Sequence, residues 1–129
     1  MKIAATISRY LLGFLFTIFG LNGFFHFIHQ PPPANPLAIQ FFIAVSASHY
    51  MAVVFLVEII GGVLLLVGRF VPLALAMLAP VLVNILDYHA TMDPGGIGPG
   101  LLATIGWMIL FLRYRSSFTQ IFSAVQRSR

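Results

Sequence analysis

The stretch FLVEIIGG, residues 55–62, places an ionisable carboxyl group, that of Glu58, inside an apolar run that ends in two glycines. An ionised carboxylate at the centre of a membrane helix costs about 3 kcal/mol, so such a residue usually faces the interior of a helix bundle. Gly61 and Gly62 carry no side chain, which allows a neighbouring helix to approach closely. The stretch therefore predicts a buried acid beside a tight helix–helix contact.

The composition of the whole chain is typical of a membrane protein. Of its 129 residues, 60% are hydrophobic and 8% are charged, whereas a soluble domain carries about 25% charged residues. So few charges could not cover a water-soluble surface, and the length suits one domain over residues 1–129. The absence of cysteine excludes disulfides and thiolate metal sites. The net charge of +4 does not indicate nucleic-acid binding, because the cations flank apolar segments and form no patch.

Four apolar runs predict membrane spans at residues 10–28, 50–68, 71–89 and 100–114. The first run rises about 28 Å as a helix, close to the thickness of the hydrocarbon core. A cleaved signal peptide is the alternative for this run, but HFIHQPPPANP, which follows, contains no good small-residue cleavage site. We therefore predict an all-α integral membrane protein, a bundle of four transmembrane helices.

The cations predict the orientation of the bundle. Lys2 and Arg9 precede the first span, Arg69 lies between the second and third, and four arginines follow the last span, namely Arg113, Arg115, Arg127 and Arg129. All seven lie inside if both termini are cytoplasmic, as the positive-inside rule requires. We expect a multi-pass membrane protein with both termini in the cytoplasm and the lipid bilayer as its first partner.

Two segments outside the spans predict short helices. In residues 31–48, Asn35 suits an N-cap and Pro36 a first helical position, and about 11 helical residues follow, too few to cross a bilayer. An interfacial or re-entrant helix on the outer side is expected there. Residues 116–129 repeat apolar positions at helical spacing, which predicts an amphipathic C-terminal helix on the inner surface or an extension of the fourth span.

Polar residues of three spans are predicted at a similar depth in the outer half of the bilayer. Glu58 lies about 12 Å below the outer end of its span, and Asn84 and Asn22 lie about 8 and 9 Å below theirs. His26 is expected on the same face of the first span as Asn22. Glu58, Asn22, Asn84 and His26 form the predicted ligand-binding group, in which Glu58 is the best candidate for a catalytic role.

Each of these groups also has a structural interpretation. Glu58 and the two asparagines could join helices through hydrogen bonds, and the histidines could lie partly hydrated at the interface. No metal is expected, because zinc requires three or four converging donors and no dense ligand motif is present. The glycine-rich segment DPGGIGPG, residues 93–100, matches no nucleotide-binding motif and is interpreted as a flexible outer turn.

Three segments together resemble the DoxX family of small four-helix membrane proteins. They are RYLLGFLFTIFGLNGFFHF (9–27), EIIGGVLLLVGRFVPLAL (58–75) and APVLVNILDYH (79–89), and the resemblance covers most of residues 9–112. The run of acid, two glycines, three leucines, glycine and arginine is its most specific part. The resemblance adds Arg69 and Pro72 to Gly61 and Gly62 as structural positions, and it supports Glu58, Asn22, Asn84 and His89 as site residues.

The resemblance implies a role in respiratory or sulfur redox systems, since one branch of the family is similar to a subunit of thiosulfate:quinone oxidoreductase. The first hypothesis is an accessory membrane subunit with a quinone or small-ligand pocket around Glu58, acting with other membrane redox subunits. No cofactor other than a quinone is expected, and whether the chain is itself an enzyme is left open. The alternatives are a scaffolding protein that forms homo-oligomers without catalysis, and a small proton-coupled transporter.

Overall fold

The computed structural model describes residues 1–125 as an all-α fold that is 78% helical and contains no strand within that range. Its five α-helices are α1 (Lys2–Phe25), α2 (Pro36–Ala47), α3 (Ala52–Val67), α4 (Val71–Met92) and α5 (Gly98–Arg113). Two short 3₁₀ turns lie at Pro94–Gly96 and Arg115–Phe118.

Four of the helices form a bundle with a square cross-section. Helix α1 packs against α3 and α5, and α4 packs against the same two, so α3 and α5 lie on one diagonal and α1 and α4 on the other. Consecutive helices around the square are antiparallel. The centre is filled by apolar side chains from all four helices, of which the largest fully buried ones are Phe16, Leu12, Leu65, Leu75, Leu78 and Leu110.

The closest helix contact joins α1 to α3 through glycines. A Cβ atom placed on Gly62 would lie 2.5 Å from Oγ1 and 2.7 Å from N of Thr17, and one on Gly13 would lie 2.9 Å from the Gly62 carbonyl oxygen. Gly20 makes a similar approach to the backbone of Phe55. The absence of Cβ atoms thus lets the two backbones touch over about two helical turns, the packing that small residues permit between apolar helices.

A glycine and a proline lie at the turn between α3 and α4. Gly68 ends α3 in the left-handed conformation, with φ 70°, and its N–H donates to the carbonyls of Leu64 and Leu65. Glycine adopts this conformation without a steric penalty, which is why it is frequent after helix ends. Pro72 lies in the first turn of α4, where its missing N–H removes no helical hydrogen bond.

Helix α2 forms where the N-cap signal predicted it. The Asn35 side-chain oxygen accepts a hydrogen bond from the Leu37 N–H at 3.0 Å, and Pro36 is the first helical residue. The Asn35 amide nitrogen also donates to the Met92 carbonyl at 3.1 Å, which ties the start of α2 to the end of α4. Apart from Ala38, the helix has no fully buried residue, and it meets α3 at an angle of 85°.

Two helices within residues 1–125, α1 and α4, are long and apolar enough to cross a membrane. The bent pair of α2 and α3 passes the same criterion if it is counted as one span, whereas α5 is a shorter apolar helix. Large apolar side chains also cover the outside of the bundle, among them Phe14, Val53, Val83 and Ile105, each more than half exposed. Contiguous exposed apolar surface of this kind suits contact with lipid.

The predicted first span differs from α1 at both ends. Helix α1 begins eight residues before residue 10 and ends at Phe25, three residues before residue 28. His26 stops it by adopting the left-handed conformation, with φ 52°, and its N–H still donates to the Asn22 carbonyl. The expected face of the first span shared by Asn22 and His26 therefore does not form, because His26 lies in the turn after the helix.

The prediction of an amphipathic C-terminal helix is wrong for residues 116–125, and residues 126–129 lie outside the described range. After α5 the chain forms a 3₁₀ turn and further turns. The physical cause is aromatic packing, because Phe118 is buried and its ring centroid lies 5.1 Å from that of Phe111. The flexible turn predicted at 93–100 is also partly wrong, since it contains a 3₁₀ turn and the first three residues of α5.

We predict that Gly62→Ala lowers the stability of the bundle by about 1–3 kcal/mol, the usual range for overpacking. The reason is that the new methyl group overlaps Thr17 and forces α1 away from α3. The measurement is the thermal unfolding midpoint in detergent micelles, followed by circular dichroism.

Gly106→Ala is the matched control, because its Cβ would meet only Leu12 at 3.4 Å or more, an ordinary contact. Both changes add the same helix propensity, at most about 1 kcal/mol. Equal midpoints for the two variants would contradict the role given to the α1–α3 contact.

Candidate functional site

Glu58 lies on the inner face of α3 and is 7% exposed. Gly61 faces α4, where its Cβ would meet Leu78, and Gly62 faces α1. Glu58 is one turn away from both glycines, so its side chain is directed between α1 and α4, towards the centre of the square. The prediction that α3 buries its acid beside the glycines agrees with this placement.

The surroundings of Glu58 are apolar. The antiparallel register from Gly61 and Leu78 places Val81 and Leu82 of α4 at its level, and both are buried. On the α1 side, Gly20 contacts Phe55 and Ile59, the residues of α3 that flank this level. The acid is therefore enclosed by aliphatic side chains and glycine backbone.

Within residues 1–125, no side chain or backbone group forms a hydrogen bond with the Glu58 carboxyl group. No fully enclosed side-chain nitrogen or oxygen atom in that range lacks a partner. Because the Glu58 oxygens have no hydrogen-bond partner in that range, they must retain some accessible surface. A largely buried carboxyl group with free hydrogen-bonding capacity is the chemical feature that sets this position apart.

Asn22 acts at the end of α1. Its side-chain oxygen accepts a hydrogen bond from the Ile28 N–H at 2.7 Å, while its carbonyl accepts from the His26 N–H. These bonds hold the chain in the turn that follows the helix. His26 lies in that turn and is exposed.

Asn84 does not line the interior of the bundle. It is exposed, and its amide donates to the Pro80 carbonyl of its own helix at 2.9 Å. It is six residues from Leu78, the α4 residue that meets α3, which places it about 120° away around the helix. The expected convergence of Asn84 with Glu58 therefore does not occur. The two residues can lie at a similar depth along their helices while their side chains point in different directions around the helix axes.

His89 lies in the last turn of α4. Its Nδ1 lies 3.1 Å from the Asp93 carbonyl oxygen and 3.8 Å from the Asp93 carboxylate, and its ring packs against Gly96. The adjacent Tyr88 stacks on Phe41 of α2, with ring centroids 5.7 Å apart. Within the described part of the chain, none of Asn22, Asn84, His26 and His89 is hydrogen-bonded to Glu58. No group of three or more His, Cys, Asp or Glu residues within residues 1–125 is placed to hold a metal ion.

Arg9 has a role that its sequence position did not reveal. Its Nη1 donates to the carbonyls of Leu65 and Leu66, at 2.5 and 3.2 Å, and its guanidinium group lies 4.3 Å from the Tyr10 ring centroid. A cation at the C-terminal end of a helix satisfies unpaired carbonyls and is attracted by the helix dipole. The signal available in the sequence was an arginine directly before the first apolar run. Its sequence position alone indicates only a cation on the cytoplasmic side.

Trp107 is the second residue with an unanticipated contact. Its indole N–H donates to the Leu75 carbonyl at 2.9 Å, and its ring stacks on Phe111 at 5.3 Å. The bond crosses from α5 to α4 and fixes the register of these two helices. An indole placed within an apolar helix needs such a partner when it is partly buried, which is the signal that sequence inspection could have used.

No family model, curated protein or solved structure matches the chain.

We predict that Arg9→Gln destabilises the protein by about 1.5–3 kcal/mol, the range for hydrogen bonds made by a charged group. The shorter neutral side chain leaves the α3 carbonyls without their partner. The stability of Arg9→Lys should lie between those of the unchanged protein and Arg9→Gln, because an ammonium group keeps the charge but lacks the planar guanidinium geometry. Thermal unfolding in detergent gives the measurement.

Arg69→Gln is the matched control, since Arg69 is exposed and its side chain makes no hydrogen bond within residues 1–125. We expect its effect to stay within about 0.5 kcal/mol, as is usual for surface changes. Equal loss of stability in Arg9→Gln and Arg69→Gln would mean that net charge, and not the helix cap, is responsible.

Proposed function

We propose that the chain is a DoxX-like protein of the bacterial inner membrane in which Glu58 hydrogen-bonds a small polar ligand, with a quinone head group as the leading candidate. In this proposal the protein is an accessory subunit of a respiratory or redox system. The single observation that carries it is the position of Glu58, buried at the bundle centre with no hydrogen-bond partner among residues 1–125.

The lack of an internal hydrogen-bond partner for this acid supports a functional interpretation. Glu58 is 7% exposed, and its oxygens keep some accessible surface to which a ligand could bond. A residue whose only task was to join helices would be expected to bond to one of the available groups, as Trp107 does. An acid inside a membrane bundle that lacks such a bond is instead free to bind a ligand or carry a proton.

The ligand site in this proposal is smaller than the group of residues predicted from the sequence. Glu58 remains its centre, and the apolar residues around it suit the ring and methyl groups of a quinone. Asn22 and His89 are engaged at the ends of α1 and α4, and Asn84 lies outside. A quinone carbonyl oxygen would accept a hydrogen bond from the protonated carboxyl group, which is neutral and therefore tolerated in this environment.

The proposed topology has four spans, α1, α3, α4 and α5, with α2 at the outer interface and both termini in the cytoplasm. Its support is the antiparallel packing of the four helices, the exposed apolar surface and the one-sided distribution of cations. The two shorter helices each have 16 residues, which rise about 24 Å and require a locally thin hydrocarbon layer.

We predict that Glu58→Leu, which removes the hydrogen-bond donor and keeps a side chain of similar size, weakens binding of a short-chain ubiquinone about tenfold, since one good hydrogen bond in an apolar site is worth about 1.4 kcal/mol. Quenching of the single tryptophan, Trp107, by the quinone in detergent micelles provides the measurement. Asn84→Ala is the matched control and should bind as the unchanged protein does.

Two results would count against the ligand site. One is quenching of the unchanged protein no stronger than that of free tryptophan amide in the same micelles. The other is equal affinity in Glu58→Leu, which would favour the scaffolding alternative if Gly62→Leu at the same time prevents assembly.

The topology has a separate test, which the absence of cysteine makes simple. We expect a cysteine at Ser46, in α2, to react with a membrane-impermeant maleimide in intact spheroplasts. A cysteine at Ser117 should react only after the membrane is permeabilised. The reverse pattern, or reaction of both in intact spheroplasts, would exclude the proposed orientation.

A further inference from the structure

A cleft of about 380 Å³ lies at the end of the bundle that carries the start of α1 and the end of α5. It is lined by Met1, Leu112, Arg113, Arg115 and Ser116. Two guanidinium groups and one hydroxyl group thus surround a recess on this end of the molecule. Guanidinium groups bind phosphate through paired, charge-assisted hydrogen bonds, and a serine hydroxyl can add one more.

No acidic side chain of the chain is placed to neutralise these arginines. The sequence contains three acidic residues, Glu58, Asp87 and Asp93. Glu58 lies inside the bundle, and the two aspartates are at the other end of α4, about 24 Å away as judged by the length of α5. Within residues 1–125, neither Arg113 nor Arg115 forms a salt bridge. The cleft therefore carries uncompensated positive charge.

An apolar seam leads away from the cleft between α1 and α5. The two helices meet where Leu12 contacts Gly106. On the outer side of that contact lie Leu11, Ile105 and Leu112, which are 41%, 58% and 46% exposed. Leu112 also lines the cleft, so the apolar seam begins at the cleft itself. Cationic and apolar surfaces are thus continuous, an arrangement that fits an amphiphilic anion and not a free one.

We propose that this cleft binds an anionic phospholipid, with its phosphate on Arg113 and Arg115 and an acyl chain along the α1–α5 seam. The proposal rests on the membrane insertion proposed above and is independent of any ligand at Glu58. The bound lipid would cover the exposed apolar residues of the seam and neutralise the charge of the cleft. It would thereby connect the first and last helices of the bundle at the cytoplasmic surface.

Native mass spectrometry of the detergent-purified protein tests the proposal, with phosphatidylglycerol and phosphatidylcholine offered in equal amounts. We expect the unchanged protein to retain phosphatidylglycerol preferentially. Arg113→Gln and Arg115→Gln should each reduce this retention about tenfold or more, the effect of one lost charge-assisted bond. Arg113→Lys should keep most of it, because the charge remains. Arg69→Gln removes the same charge on the same side of the membrane and should leave the retention unchanged.

Three outcomes would overturn the proposal. The first is equal retention of the two lipids by the unchanged protein, a result that requires no variant to fold. The second is an equal loss in Arg69→Gln, which would indicate general surface charge. The third is displacement of the lipid by millimolar inorganic phosphate, which would indicate a site for the free anion. Failure of the cysteine-labelling experiment would instead refute membrane topology, so the two conclusions can be separated.

Discussion

The contact between the glycines of α1 and the glycine pair of α3 is the constraint on which the rest of the structure depends. Because Gly13, Gly20 and Gly62 carry no side chain, the two backbones touch, and the remaining residues of α3 have their directions fixed by that contact. Gly61 is then turned to Leu78 of α4. Glu58 lies one turn before both glycines, so its side chain points between α1 and α4, into the bundle. Burial of the acid thus follows from the packing of the glycines and requires no polar partner to hold it.

The polar groups of the bundle separate into those that bond to another group of the chain and those that do not. Thr17 and Thr104 donate to carbonyls of their own helices. Others end or join helices: Arg9 covers the carbonyls at the end of α3, Asn35 links α2 to α4, and Trp107 links α5 to α4. These bonds lie at helix ends or between neighbouring helices, and each gives a polar side chain a backbone carbonyl as its hydrogen-bond partner. Glu58 belongs to the other kind, because its oxygens have no partner within residues 1–125. This contrast is the basis for assigning it a ligand.

Sequence inspection predicted the elements of the fold better than the composition of the site. Hydrophobic runs, the Asn35-Pro36 signal and Gly68 gave the helices and their turns, because these depend on local chemistry. The pairing of Glu58 with Asn84 failed because depth along a helix was estimated but rotation about α4 depends on which residue meets α3. The left-handed turn at His26 and the burial of Phe118 could not be anticipated. Each depends on contacts that the spacing of apolar residues along the chain does not reveal.

The unequal lengths of the diagonal pairs have a consequence for the surrounding lipid. Helices α1 and α4 have 24 and 22 residues, whereas α3 and α5 have 16 each, so one diagonal is roughly 10 Å taller than the other. In the proposed four-span topology, the lipid around such a body would not have uniform thickness, and the bilayer would thin beside α3 and α5. Elastic strain of this kind is relieved when two thinned sides meet. That topology would therefore favour lateral association through the faces of the shorter helices.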